Sequence, residues 1–215
     1  YKYAYSLSED TNRLKDAIKY AEIHINLLHK NEDYEFYEDA VYLLSWLYEE
    51  NKNAKKLISL LENSIDIDKD NYFYYNKLYL VFSDGRFGIK QDQKRAFEYL
   101  LRAEGLNSPF ILNNIGLSYE LGEGTGQDFN KAIEYYEKAK NLNNNITGFY
   151  NLGLMYEYGY GVDVDFKKAF QIYSQAIELY ENKDNLENWI SGSNEEGKFD
   201  LMVDFENEYS LDNEK

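Results

Sequence analysis

Cysteine is absent from the 215 residues, and proline occurs once, at Pro109. Without cysteine there is neither a disulfide frame nor a thiolate metal ligand, so disulfide-stapled and zinc–thiolate domains drop out. A single proline leaves long helices almost uninterrupted. No apolar run reaches the ~20 residues of a membrane-crossing helix, and no secretory signal is visible. Catalytic signatures are missing as well: there is no GxSxG, no cysteine nucleophile and no His-Glu zinc motif. The two histidines, His24 and His29, stand five apart and do not share a helical face as a metal pair would. The stretch DIDKDN at 66–71 copies the start of a calcium loop, but its twelfth position is Lys77 where a bidentate glutamate is required. It therefore reads as a turn between hairpins. Paired carboxylates are plentiful only because acids are plentiful, and they point to no acid–base chemistry. No catalytic residue, metal or cofactor is expected.

Positive charge is also scarce, with 23 Lys and Arg against 39 Asp and Glu, for a formal charge of −16. Such a field repels nucleic-acid phosphate and anionic lipid and speeds encounter with a basic partner. Simple solubility is the plainer use of the same charge. The chain begins at Tyr1 rather than methionine, so an upstream segment is expected, where a targeting signal would lie. The compartment stays open, with the cytoplasm favoured.

What the chain does have is tyrosine, 23 of them, mostly at helical spacing beside leucine and isoleucine. An aromatic ring with a polar tip suits thin helical layers, where no residue is far from water. It also has repeats. Asn114 to Ala139, NIGLSYELGEGTGQDFNKAIEYYEKA, aligns without a gap on Asn151 to Ala176, NLGLMYEYGYGVDVDFKKAFQIYSQA, at an offset of 37. Gly116, Tyr119, Gly122, Gly124, Asp128, Ala132, Tyr136 and Ala139 meet Gly153, Tyr156, Gly159, Gly161, Asp165, Ala169, Tyr173 and Ala176. A third copy spans Lys77 to Ala103, with one extra residue in its turn. Further upstream, AVYLLSWLYEENKNAKKLISLLENS keeps Leu44 and Tyr48 but lacks the glycine pair. TNRLKDAIKYAEIHINLLHK resembles the second helix of a still earlier hairpin.

Each unit divides into two short helices. In the last copy Phe149, Leu152, Gly153 and Tyr156 fall on one stripe, and Gly159 and Gly161 break the helix. Asp165 is placed to cap the next helix, whose stripe is Phe166, Ala169, Phe170, Tyr173 and Ala176. The glycines follow a helix rather than a buried strand, so they are corners that permit positive φ and not a phosphate loop. One hairpin cannot bury its apolar face alone. The expectation is therefore all-α: an α/α superhelix of about five stacked antiparallel hairpins.

The run LGLMYEYGYGVDVDFKKAFQIYSQA resembles the Sel-one-like repeat, a relative of the tetratricopeptide repeat with a longer, glycine-bearing turn. Its pattern is met at Leu152, Gly153, Tyr156, Gly159, Gly161, Val162, Asp165, Lys168, Ala169, Tyr173 and Ala176. The second copy departs at Thr125, and the first has Tyr79 in place of glycine. The resemblance covers 76–181 clearly, whereas 11–75 reads closer to ordinary tetratricopeptide hairpins. Domain bounds follow as a solenoid over 1–182 and an acidic segment over 183–215. The family implies a protein-interaction scaffold or adaptor with no fixed ligand.

By analogy with helical-repeat families, the first helix of each hairpin lines the concave face. The positions beside its packing stripe are Tyr42, Trp46 and Glu49; Asn76, Leu80 and Ser83; Asn113, Leu117 and Glu120; Tyr150, Leu154 and Glu157. That groove is neutral to acidic with aromatic patches, and Lys77 is its one nearby cation. It suits another protein's basic-apolar segment better than a terminal carboxylate. Trp46 and Leu154 read equally well as core. An acidic inhibitor or immunity protein that neutralises a basic toxin or nuclease is the alternative function.

From Lys183 to Lys215 there are ten acids and three bases, a balance of −7. Phe199, Leu201, Val203 and Phe205 alternate there at strand spacing. This segment reads as a cap on the last hairpin, a strand added to a partner, or a docking peptide in an acidic tail, with capping favoured.

Overall fold

A computed structural model describes residues 11–31, 34–142 and 145–181. The segment 183–215, and any helix preceding Thr11, lie outside those residues. Nine α-helices follow one another in the described part: α1 (Thr11–Lys30), α2 (Tyr37–Glu50), α3 (Ala54–Ile67), α4 (Tyr72–Asp84), α5 (Gln93–Arg102), α6 (Pro109–Leu121), α7 (Phe129–Asn141), α8 (Ile146–Tyr158) and α9 (Phe166–Glu181). They pair as α2–α3, α4–α5, α6–α7 and α8–α9, and each pair packs on its sequence neighbours. The described residues thus hold four complete hairpins, with α1 standing as the second helix of a fifth.

The helix boundaries repeat because their caps repeat. Asp92, Asp128 and Asp165 each accept a bond from the backbone N–H three residues on, at Arg95, Lys131 and Lys168 (2.9–3.1 Å), opening α5, α7 and α9. Asn145 caps α8 in the same way, Asn71 caps α4 by accepting from the Phe73 N–H two residues on, and Ser108 precedes Pro109, which has no N–H to lose in the first turn of α6. DIDKDN is the end of α3 and the turn into α4.

Gly85, Gly122 and Gly159 end α4, α6 and α8 in the left-handed region, at φ 65°, 73° and 70°. The chain then folds back, and the N–H of each capping aspartate donates to a first-helix carbonyl: Asp128 to Tyr119 (2.8 Å), Asp165 to Tyr156 (2.9 Å) and Asp92 to Phe82 (2.9 Å). The first closure spans ten residues and the others nine, which locates the extra residue of the first copy. It is absorbed in a 3-10 turn at Arg86–Gly88.

The second glycine of the last two turns has another duty, whereas Gly88 of the first has open space beside it. A Cβ on Gly124 would strike the Gln93 carbonyl and the Phe97 side chain of α5, and one on Gly161 would stand 2.7 Å from Phe129 Cβ of α7. These turns therefore seat each hairpin against the one before it. Inside each hairpin, Gly116 and Gly153 make room for a ring from the second helix: a Cβ at Gly116 would be 2.7 Å from Tyr136 Cε1, and one at Gly153 would run into Tyr173.

The core runs the length of the stack. Leu57, Leu61, Leu78, Leu100, Ile111, Ile115 and Leu152 are fully buried, each contributing about 1.5–3 kcal/mol relative to exposure. α7 divides this core by its two faces. Tyr135 and Ala139 pack toward the earlier hairpins, whereas Ala132 and Tyr136 pack with Phe149, Leu152 and Ile172. At the joint between the second and third hairpins Tyr119 of α6 lies edge-on to Phe97 of α5 (5.4 Å), and within its own hairpin it stacks on Tyr135 of α7 (5.8 Å).

The last stripe departs from expectation. Ala169, Tyr173 and Ala176 are buried, but Phe166 is 53% exposed and Phe170 43%. Every earlier second helix has a following first helix on that side; among the described residues α9 packs only on α8.

Candidate protein-binding groove

First helices approach one another directly, α4 against α6 and α6 against α8. Second helices are tied by long ion pairs, Lys56 to Glu22 (2.6 Å) and Arg95 to Glu62 (2.9 Å). The first helices thus form one layer of the stack and the second helices the other.

Side chains stitch that layer together. Asn114 Nδ2 donates to Asn76 Oδ1 (3.0 Å), and Asn151 Nδ2 donates to Asn113 Oδ1 (2.8 Å). Both rungs span 38 residues, one repeat plus one. Farther forward, Tyr42 meets Phe73 edge-on with centroids 4.2 Å apart. Lys77 Nζ binds both carboxylate oxygens of Glu49 at 2.9 and 3.0 Å.

The sequence-selected residues fall into three kinds. Tyr42, Trp46, Leu80, Leu117, Tyr150 and Leu154 are half-buried, each with part of its surface in water. Trp46 and Leu80 also pack against the core. Asn113 and Ser83 are buried instead. Asn113 is committed to its rung, and the Ser83 hydroxyl lies 3.0 Å from Asp84 Oδ1. Asn76 shares its rung with Asn114.

The third kind is the glutamates. Glu49 is neutralised by Lys77, and Tyr42 donates to Glu38 nearby. Glu120 accepts from the Tyr136 hydroxyl (2.5 Å) and Glu157 from the Tyr173 hydroxyl (2.8 Å). Neither of those two carboxylates meets a cation among the described residues. Burial, and then the facing glutamate, hold both phenols far above their ordinary value, so each tyrosine is a permanent donor. Tyr79, in the place of glycine on α4, is pushed up to about 12 by burial with Glu123 and Asp84 adding to it.

Sequence reasoning read the tyrosine tips as reaching water. Many instead reach carboxylates on other helices: Tyr48 to Glu22, Tyr99 to Glu62 and Tyr135 to Glu104, besides the two groove pairs. The joint surplus of tyrosine and acid was the available signal. The 38-residue asparagine spacing was the signal for the rungs.

The candidate groove face is therefore graded. Around α2 and α4 it offers Tyr42, Trp46, Phe73 and Leu80 beside a neutralised ion pair. Around α6 and α8 it offers Leu117, Leu154 and Tyr150 beside two carboxylates that have no counter-ion among the described residues. Among the described residues no three acid or histidine side chains are grouped to hold a metal, and no helix is long and apolar enough to cross a membrane.

Comparison with a solved structure agrees with the helical-repeat fold. The Sel1 repeat model matches residues 80–107, 112–144 and 150–180. A Sel1 repeat protein from Oxalobacter formigenes superposes with a TM-score of 0.57 at 21% identity, over 74% of this chain and 68% of that one, and shares the fold. A protective antigen of uropathogenic Escherichia coli with an SLR fold aligns over 75% of this chain and 44% of its own at 19% identity and a TM-score of 0.43. Cysteine-rich protein B of Helicobacter pylori aligns over 57% and 90% at 28% identity and a TM-score of 0.41. No curated protein matches. Sel1 repeat proteins generally mediate protein–protein interaction and are typically non-catalytic scaffolds. Residues 80–107, 112–144 and 150–180 thus resemble Sel1 repeats, and the described residues share the helical-repeat solenoid fold of the Oxalobacter protein.

Proposed function

We propose that this protein is an adaptor whose inner groove holds a segment of a partner protein carrying an apolar or aromatic anchor and one or more lysines or arginines. The grading of the groove supports this reading. The anchor lies against Trp46, Tyr42 and Leu80, and the cations lie toward Glu120 and Glu157, so the segment has a defined direction. The two glutamates are oriented by Tyr136 and Tyr173 before any partner arrives, which lowers the ordering cost of binding. Each keeps lone pairs for a charge-assisted bond to lysine or arginine.

Affinity capture with the intact chain, repeated with Trp46→Ala and Tyr150→Ala, tests the assignment. The reading expects both variants to lose the captured partner and Tyr209→Ala, in the segment 183–215, to keep it. The reverse pattern would move the site into the C-terminal segment. The inhibitor alternative draws on the −16 charge. It expects one strongly basic partner, lost at high salt and toxic or enzymatically active when expressed alone.

A further inference from the structure

One position on the first helices donates across each joint of their layer. Lys77, Asn114 and Asn151 follow one another at intervals of 37 residues, on α4, α6 and α8. Lys77 reaches back to Glu49 of α2, Asn114 to Asn76 of α4 and Asn151 to Asn113 of α6. The joints differ in what they leave over. Lys77 and Glu49 neutralise each other. An asparagine rung is different, because each carboxamide carries two N–H donors and a carbonyl oxygen with two lone pairs. One rung spends one donor and one lone pair, so the donating residue keeps its carbonyl and the accepting residue keeps its amide.

Among the described residues Asn114 Oδ1, Asn151 Oδ1, Asn76 Nδ2 and Asn113 Nδ2 make no bond. Asn113 and Asn151 are nevertheless only 9% and 8% exposed, and polar groups that deep are ordinarily paired. None of the four atoms is sealed in; the buried side-chain polar atoms without a partner belong to Ser45, Tyr74 and Ser108. The rungs therefore hold a row of half-satisfied amides and carbonyls across α4, α6 and α8, each in narrow contact with water. Asn76 and Asn113 occupy the position that Tyr150 takes on α8, one turn before Leu80 and Leu117.

Such a row suits a chain whose own backbone is unspent. A docked α-helix has already bonded its N–H and C=O groups internally, so it would strip water from the rungs and return nothing. An extended segment presents a donor and an acceptor at every residue. We propose that the two asparagine rungs read the main chain of an extended partner segment, Asn76 and Asn113 Nδ2 donating to its carbonyls and Asn114 and Asn151 Oδ1 accepting from its N–H groups. With neighbouring helices ~9 Å apart and an extended chain rising about 3.2 Å per residue, the rungs meet residues roughly three apart. This rests on the adaptor reading and narrows it: the rungs recognise conformation, while the apolar positions and glutamates recognise side chains.

The probe is a display library of short linear peptides selected on the full-length chain. One binder is then resynthesised with each backbone amide in turn replaced by an ester, which removes an N–H donor and keeps the side chain. Esters at two positions about three residues apart should each weaken binding roughly five- to tenfold, with little effect elsewhere. Asn76→Asp keeps an oxygen for Asn114 and loses the amide donor. It should weaken binding several-fold, although its added charge favours a basic peptide, and its thermal midpoint should hold. The ester scan uses the unaltered chain, so it decides the matter even if that variant unfolds. A binder lost with Trp46→Ala that ignores every ester, or binds better once stapled as a helix, would overturn main-chain reading and leave the adaptor reading standing. A binder indifferent to both Trp46→Ala and Asn76→Asp sits elsewhere and would overturn both. A library that yields no binder would also overturn the proposal, since main-chain recognition asks only for an extended chain.

Discussion

Residues 11–67 and residues 72–181 build similar helical layers from different parts. The α2–α3 hairpin turns through Asn51–Asn53 with Lys52 at φ 50°, closes with Asn53 N–H on the Tyr48 carbonyl (2.8 Å), and caps α3 with the Asn53 side chain. The later hairpins close in the same way through glycine and cap with aspartate. The glycine pair is thus not what makes a hairpin. It is what joins hairpins, because Gly124 and Gly161 let a turn rest against the helix behind it. The earlier region holds its neighbours by other means: Tyr48 and Lys56 converging on Glu22, and Lys77 on Glu49.

The largest test of that contrast is Gly124→Ala or Gly161→Ala. Left-handed strain of ~1–2 kcal/mol adds to displacement of a packed neighbour at ~1–3 kcal/mol. Each variant should lose roughly 3 kcal/mol, and hydrogen exchange should place the loss at the joint between hairpins. Lys52→Gly should instead gain about 1 kcal/mol by relieving the same conformation.

Tyr136→Phe and Tyr173→Phe come next, at about 1 kcal/mol each. That is the value of a bond to a charged acceptor reduced for carboxylates in contact with solvent. They carry a pH signature. Both phenols titrate higher folded than unfolded, so the native state holds more protons above pH 10. Stability is whole below pH 10 and is lost as pH rises beyond it, and each phenylalanine should flatten that alkaline decline in thermal melts.

Caps should be equivalent in the two regions: Asp128→Ala and Asn53→Ala should each cost ~1 kcal/mol in denaturant titration. Lys56→Ala is the smallest change, under about 0.5 kcal/mol for an exposed pair. The hydrogen bond from Lys56 first, opposed by burial and aided by Tyr48, holds Glu22 below its ordinary value. That contribution is present above pH 4.5 and fades as pH falls through the lowered value, so wild type and variant should converge in acid.

The fold was legible because repetition multiplies weak signals. Gly122 with Gly124, and Asp128 three residues before a backbone donor, mean little once and much at an interval of 37. The proposed groove was legible only as a strip of positions. Which of them are spent on holding the stack depends on partners on other helices, and single-helix periodicity is blind to those. Asn113 looked like a ligand residue and is a buried rung, whereas Glu120 gained an orienting tyrosine 16 residues away. The exposure of Phe170 was hidden for the same reason, since its stripe matches a buried one and only the neighbour differs.

The most direct measurement of the graded groove is the salt dependence of partner-segment binding by calorimetry, comparing Trp46→Ala with Glu120→Gln/Glu157→Gln. Glutamine keeps an acceptor for the tyrosine hydroxyls and removes only charge. The account predicts that both variants weaken binding, that the double glutamine variant also flattens the salt dependence, and that Trp46→Ala leaves that slope as in the wild type. Unchanged affinity in both variants, or a slope untouched by loss of the two carboxylates, would contradict it.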